Sequence, residues 1–204
     1  MNQKKRDEIL PEIECLMKEN GGIVKASQLY PLGLTFRMVQ GLVQKGVLDH
    51  VKSGYYSMNY EQKSEEAIIC GMFPDGILTM DSALYYYGYI NERPFTWSIA
   101  VSKNTSKSRF KIEYPVIRPY YTEPEVLESG ASRIQTESGT MKIYGKERLI
   151  CDCLKYEDRL DKDVLKRALL SYIQEEKKDI AALMEYARAR KVLTKVQNRI
   201  GVWL

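Results

Sequence analysis

The sequence predicts an α+β protein, and two observations carry that expectation. Gly21 to Tyr56 reads as a short helix, a turn, a second helix with a mixed polar face, and a basic hairpin. That order predicts a winged helix-turn-helix. Downstream, strand-like segments come first and amphipathic helices afterwards, which predicts a mixed or antiparallel sheet with a C-terminal set of helices. At 204 residues the chain is long enough for two modest domains. The polar stretch Tyr60 to Glu66 places the boundary near residue 62, dividing residues 1–61 from residues 62–204.

Composition narrows the class. With 44% apolar and 28% charged residues the chain is globular rather than disordered. A net charge of +4 permits contact with nucleic acid without demanding it. No stretch approaches the roughly 18 apolar residues of a membrane span. Met1 to Glu14 carries Lys and Arg with no apolar run behind them, which argues against a secretory signal. Cys15, Cys70, Cys151 and Cys153 are scattered apart from one C-x-C. On a helix, positions i and i+2 point about 200° apart, so that pair cannot share a metal. The cysteines therefore read as reduced, mostly buried thiols of a cytoplasmic protein. His50 is the single histidine and has no cysteine pair at ligand spacing, so no metal or cofactor is expected.

In the first domain, Ile9, Leu10, Ile13, Leu16 and Met17 recur at helical spacing. Pro11 begins or kinks that helix, and Asn20-Gly21-Gly22 ends it. Val24 to Tyr30 is expected as a second helix anchored by Leu29, with Pro31-Leu32-Gly33 as the turn. Thr35 then caps a third helix from Phe36 to about Lys45. Val39, Leu42 and Val43 form its buried stripe, and Arg37, Gln40, Gly41 and Gln44 fall on the opposite face. Such a face suits the major groove, where Arg reaches guanine and Gln pairs with adenine. Val47 to Val51 and Tyr55 to Met58 are expected as strands around Lys52-Ser53-Gly54, with Lys52 placed to meet phosphate. Residues 21–58 hold Lys25, Arg37, Lys45 and Lys52 against Asp49 alone, a net +3. The expected DNA-contacting set is Lys25, Thr35, Arg37, Gln40, Gln44, Lys45 and Lys52. The competing reading is a protein-interaction module with a solvated helix face, and Tyr55-Tyr56 reads as packing within the wing.

In the second domain, Ala67 to Phe73 is a short apolar segment and Pro74-Asp75-Gly76 a turn. Asp81 or Thr79 is expected to cap a helix through Tyr87, stopped by Gly88. Strands are expected at Phe95 to Ser102 and Phe110 to Tyr120, a hairpin at Ile134 to Tyr144, and helices over 146–156, 161–174 and 178–190, with a short one before Trp203. Lys103, Lys107, Arg109, Lys111 and Arg118 oppose only Glu113 within residues 102–121, a net +4. These five form either a second nucleic-acid surface or a solvated loop. Arg148 and Asp152, four apart on one helix, are expected to pair and organise it against the sheet rather than to act as a catalytic dyad. The cluster Tyr85-Tyr86-Tyr87-Tyr89 is expected to pack in the core and at a subunit interface.

Three strings then acquire a shared meaning: GGIVKASQL…GLVQKGVLDHVKSGYYSM, DGILTMDSALYYYGYINERP and MKIYGKERLICDCLKY. In order and spacing they resemble the AbiEi-type antitoxins of bacterial abortive-infection, type IV toxin–antitoxin pairs, over residues from about 5 to 190. The resemblance implies autorepression, the first domain binding inverted repeats in double-stranded operator DNA as a monomer or dimer. It also implies that the second domain counteracts a nucleotidyltransferase toxin without a stable complex.

Two other classes compete. An enzyme needs a base beside its nucleophile, and the only histidine falls in the wing. There is no G-x-x-x-x-G-K-S/T loop, no G-x-G-x-x-G, and no Glu-x-Lys after Asp75 on a nearby strand, so no catalysis is expected. The other class is a winged-helix regulator that senses a small ligand through its second domain.

Overall fold

The computed structural model describes residues 3–59 and 62–203. Tyr60 and Glu61, at the start of the expected linker, lie outside the described residues. The fold is α+β with two sheets, one of three strands and one of five. Two compact units divide the chain: Met1–Pro74 with Gln135–Thr140, and Asp75–Ile134 with Met141–Leu204. Among the described residues, no helix is long and apolar enough to cross a membrane.

The first unit opens with α1 (Gln3–Glu19), which runs through Pro11 without ending there. Ile9, Ile13 and Met17 seal one face of that helix, and this packing outweighs the hydrogen bond lost at the proline. Next comes β1 (Ile23–Lys25), then α2 (Ala26–Leu29), continued by one 3-10 turn at Tyr30–Leu32. The expected second helix thus begins two residues late. Val24 and Lys25 are strand because they pair with Tyr56 and Tyr55. Gly33, at φ 78°, makes the left-handed stop. α3 (Phe36–Gln44) follows, and the Thr35 hydroxyl accepts from the Met38 amide at 3.3 Å as expected of a cap. Val39 and Leu42 are its fully buried residues, while Val43 is half-buried.

The hairpin is β2 (Asp49–Lys52) and β3 (Tyr55–Ser57), with Ser53-Gly54 as its turn. Lys52 is therefore the last strand residue rather than part of the loop, and Val47 and Leu48 precede the strand. Both of their amides turn back to the Leu42 carbonyl. β3 is central, antiparallel to β1 on one side and β2 on the other. The apolar run after residue 66 is a helix, α4 (Glu65–Met72), capped by the Ser64 hydroxyl and carrying Glu65 and Glu66 in its first turn. It lies against β1, and a Cβ on Gly71 would sit 3.1 Å from the Gly21 carbonyl oxygen. That close approach draws the compact first unit out to Pro74, beyond the polar stretch that marks the boundary in sequence.

The second unit holds β4 (Ile77–Leu78), α5 (Met80–Tyr86), β5 (Trp97–Ser102), β6 (Ile117–Thr122) and α6 (Pro124–Leu127). The hairpin β7 (Ala131–Thr136) and β8 (Gly139–Tyr144) completes a sheet of order β6-β5-β4-β8-β7. It is mixed: β4 runs antiparallel to β5 and parallel to β8, and β5 runs parallel to β6. Neither candidate cap serves α5: the Thr79 hydroxyl is buried without a partner, and Asp81 accepts instead from the Ser82 amide and the Ser98 hydroxyl. Four helices follow: α7 (Lys146–Lys155), α8 (Lys162–Gln174), α9 (Ile180–Ala189) and α10 (Leu193–Arg199). α7 is the core helix, buried on every side from Arg148 to Leu154 and packed by α5, α8 and α9.

Candidate nucleic-acid interface

The exposed face of α3 is built by its periodicity. With Val39 and Leu42 turned inward, Arg37, Gln44 and Lys45 stand in solvent and Gln40 is half-buried. Together with Thr35 and Gly41 they line an open concavity of about 500 Å³. Gly41 sits at its middle, and a Cβ added there would meet nothing within 4 Å. The helix thus offers one guanidinium, one ammonium and two carboxamides around a patch of bare backbone. Thr35 takes part chiefly as the cap that starts the helix. Gln40 is not wholly free, because its Nε2 donates to the Tyr56 hydroxyl at 3.0 Å.

On the sheet the strand register creates a second basic feature. Tyr55 pairs with Lys25 on one side and Lys52 on the other, so the three residues form one row across β1, β3 and β2. Both ammonium groups lie over the Tyr55 ring, at 5.8 Å for Lys25 and 4.7 Å for Lys52. Tyr56, the next residue on β3, is buried; by strand alternation the row occupies the opposite, outer face. The Gly54 carbonyl accepts from the Ala26 amide at 2.8 Å, fastening the hairpin turn to the start of α2. Lys25 and Lys52, twenty-seven residues apart in sequence, are therefore neighbours.

The five basic residues of the second unit have a different fate. Arg109 makes a two-pronged pair with Asp75, Lys103 pairs with Glu123 at 2.7 Å, and Arg118 lies 3.9 Å from Asp81. The net +4 of residues 102–121 is offset by three acids from outside that window, brought in by the sheet and its loops. Lys107 and Lys111 are exposed. The structure thus gathers no undivided basic patch from Lys103, Lys107, Arg109, Lys111 and Arg118.

Those pairs carry a pH dependence. The hydrogen bond from Lys103 pulls Glu123 down to about 2, Arg109 holds Asp75 below the ordinary carboxylate range, and Lys195 and Lys146 do the same for Glu157 and Glu175. A carboxyl depressed on folding stabilises fully above its unfolded value and loses that contribution as pH falls through its folded value. The urea midpoint of the second unit should hold level from pH 7 to 5, then decline from about 4.5 toward 2. Glu123→Gln should shrink the decline, and 0.5 M salt should shrink it further because Glu123 is 42% exposed. A midpoint unchanged down to pH 3 would contradict these pairings.

The Arg148–Asp152 pair is present, at 3.2 Å and buried, and it is one half of a larger network. Arg190 donates its Nε to the other carboxylate oxygen at 2.5 Å. Arg148 also donates to the Val126 and Ser129 carbonyls and stacks on the Tyr144 ring at 4.4 Å. Arg190 reaches the Tyr156 hydroxyl at 3.4 Å and lies 3.7 Å from Glu123. Burial works against the charge of Arg190, but Asp152 and Tyr156 beside it together outweigh burial and raise the guanidinium above its ordinary value. Burial pushes the Cys151 thiol up to about 12 and raises the Cys153 thiol well above its ordinary value, which makes both inert structural thiols. Among the described residues, no group of three or more His, Cys, Asp and Glu is arranged to hold a metal ion.

Local sequence reasoning placed Tyr55 and Tyr56 as packing within the hairpin, but missed the row with Lys25 and Lys52, the bond to Gln40, Arg190 and the three acids that offset the second basic stretch. Alternation in the hairpin gave Tyr55 and Tyr56 opposite faces and was their one available signal. No family model matches the chain, and no curated protein matches it. Among solved structures, the chain is similar to the crystal structure of the RV2827C protein from Mycobacterium tuberculosis, with a TM-score of 0.54 and 11% identity over 96% of this chain and 82% of that one. At that identity the likeness is one of fold alone.

Proposed function

We propose that the first unit is a winged helix-turn-helix that binds double-stranded operator DNA, and that the chain is the antitoxin and autorepressor of a bacterial toxin–antitoxin operon. The observation that carries the DNA reading is the coincidence, within one unit, of the α3 concavity and the Lys25–Tyr55–Lys52 row. The order helix, strand, helix, helix, hairpin, with β3 central, supports the winged-helix assignment. On this reading α3 lies in the major groove. There Arg37 reaches guanine, Gln40 and Gln44 address adenine, and Lys45 meets the backbone. Lys25 and Lys52 hold phosphate and set the register of the protein on the duplex.

The antitoxin half of the reading rests on the resemblance to AbiEi-type proteins. It assigns the second unit to counteracting a nucleotidyltransferase toxin, without catalysis and without a stable complex, in the bacterial cytoplasm. Two copies on inverted repeats would suit either a dimer or two cooperating monomers. Toxicity of the neighbouring gene, relieved by co-expression of the full chain, would support this half; persistent toxicity would count against it.

Gel shifts on the chain's own promoter test the DNA reading. Arg37→Ala with Gln40→Ala should abolish operator binding while the second unit keeps its fold. Lys52→Ala should weaken all sequences about equally and reduce the salt slope by roughly one unit. Unchanged binding by the double variant would remove α3 as the reading helix.

A further inference from the structure

We infer that Tyr56 is a positioning residue for base readout by Gln40, an inference that rests on the reading of α3 as the DNA-facing helix. Tyr56 is 1% exposed and fixed from both sides, in register with Val24 on β1 and His50 on β2, with the His50 ring against it at 5.6 Å. Its hydroxyl is therefore a stationary acceptor at the root of α3, and Gln40 donates to it at 3.0 Å. A glutamine on a helix surface ordinarily samples many rotamers. Here one amide proton is held, which fixes the plane of the carboxamide.

The remaining edge consists of Oε1 and the second N–H, an acceptor beside a donor. That pair matches the N6 donor and N7 acceptor that adenine presents in the major groove. Gln40 lines the α3 concavity, so the held carboxamide belongs to the face that would meet the bases. Tyr56 touches no DNA on this account and acts through Gln40 alone. Gln44, exposed in the same concavity, has no such support among the hydrogen bonds of the described residues. Of the two carboxamides, Gln40 is thus the one built for selectivity.

The test is selection of bound duplexes from a randomised library with the full-length chain and its variants, alongside thermal unfolding. The parent should favour adenine at one base pair by at least roughly fivefold. Gln40→Ala should relax that base pair, and Tyr56→Phe should relax the same one by at least roughly threefold, with the other positions and the thermal midpoint unchanged. A purely structural tyrosine would lower the midpoint or weaken all sequences together. Tyr56→Phe retaining the parent's discrimination would overturn the inference and leave the reading of α3 standing. A parent that selects no sequence would overturn that reading and the inference with it. Gln40→Glu gives an answer even where Tyr56→Phe fails to fold. Its carboxylate accepts from the Tyr56 hydroxyl and turns the second oxygen outward, so the same base pair should switch to cytosine. No switch would overturn the inference.

Discussion

Replacing Asp152 by alanine is expected to cost the second unit roughly 3–5 kcal/mol, the typical effect of removing one partner from a buried ion pair. The side chains of Arg148, Asp152 and Arg190 are 0%, 3% and 1% exposed, so water cannot take over for the missing carboxylate. Each of its oxygens faces a different guanidinium, and the substitution leaves two cations close together in a dry core. Domains are stable by about 5–15 kcal/mol in total, so a loss of this size brings the unit near the edge of folding. Both tryptophans of the chain, Trp97 and Trp203, belong to the second unit, and urea denaturation followed by fluorescence reports on it directly. Arg199→Ala is the control: Arg199 is 57% exposed in its pair with Glu157 and should change stability by less than about 1 kcal/mol. Equal effects from the two substitutions would deny the network its role.

That network also shows where the sequence stops being readable. Arg148 and Asp152 are one helical turn apart, and the i, i+4 rule pairs them without a structure. Arg190 joins them from 38 residues away, on the far end of α9, and nothing local distinguishes it from Arg188 beside it. The same boundary runs through the basic residues. Counting charge within residues 102–121 finds Glu113 as the one acid, yet Asp75, Asp81 and Glu123 are the partners that matter, because strand pairing brings distant segments together. Elements defined by their own periodicity fare better. The cap at Thr35, the body of α3 and the helices from Lys146 onward are set by neighbours within four residues, and their expected extents hold to within two. β1 goes unseen because three residues have no period. It is a strand only through β3, thirty residues later. At the candidate interface the split is similar: the polar face of α3 is local and legible. The Lys25–Tyr55–Lys52 row and the Tyr56–Gln40 bond exist only once the sheet has formed.

Gly41→Glu is expected to abolish operator binding while leaving the protein at least as stable as its parent. Glycine inside a helix is unfavourable by about 1 kcal/mol relative to alanine. The backbone of Gly41 is helical, and a Cβ there meets nothing within 4 Å, so no packing reason requires glycine. Gly41→Ala should accordingly stabilise the first unit by roughly 0.5–1 kcal/mol. Glutamate should be tolerated equally well, since Arg37 and Lys45 stand one turn away on either side as ion-pair partners worth about 0.3–0.5 kcal/mol each. Against a DNA duplex the same substitution is severe. It puts a carboxylate in the middle of the concavity, neutralises the cations that the proposed function assigns to bases and phosphate, and blocks the approach of the helix backbone. Loss of two base contacts at about 1–3 kcal/mol each corresponds to at least about thirtyfold in affinity. Gel shifts and thermal unfolding measured on Gly41→Ala and Gly41→Glu together separate the two effects. If Gly41→Glu binds the operator as tightly as the parent, the α3 face is only a solvated surface and the first unit must act by another route. If binding is lost while the melting midpoint rises, the defect lies at the interface and not in the fold.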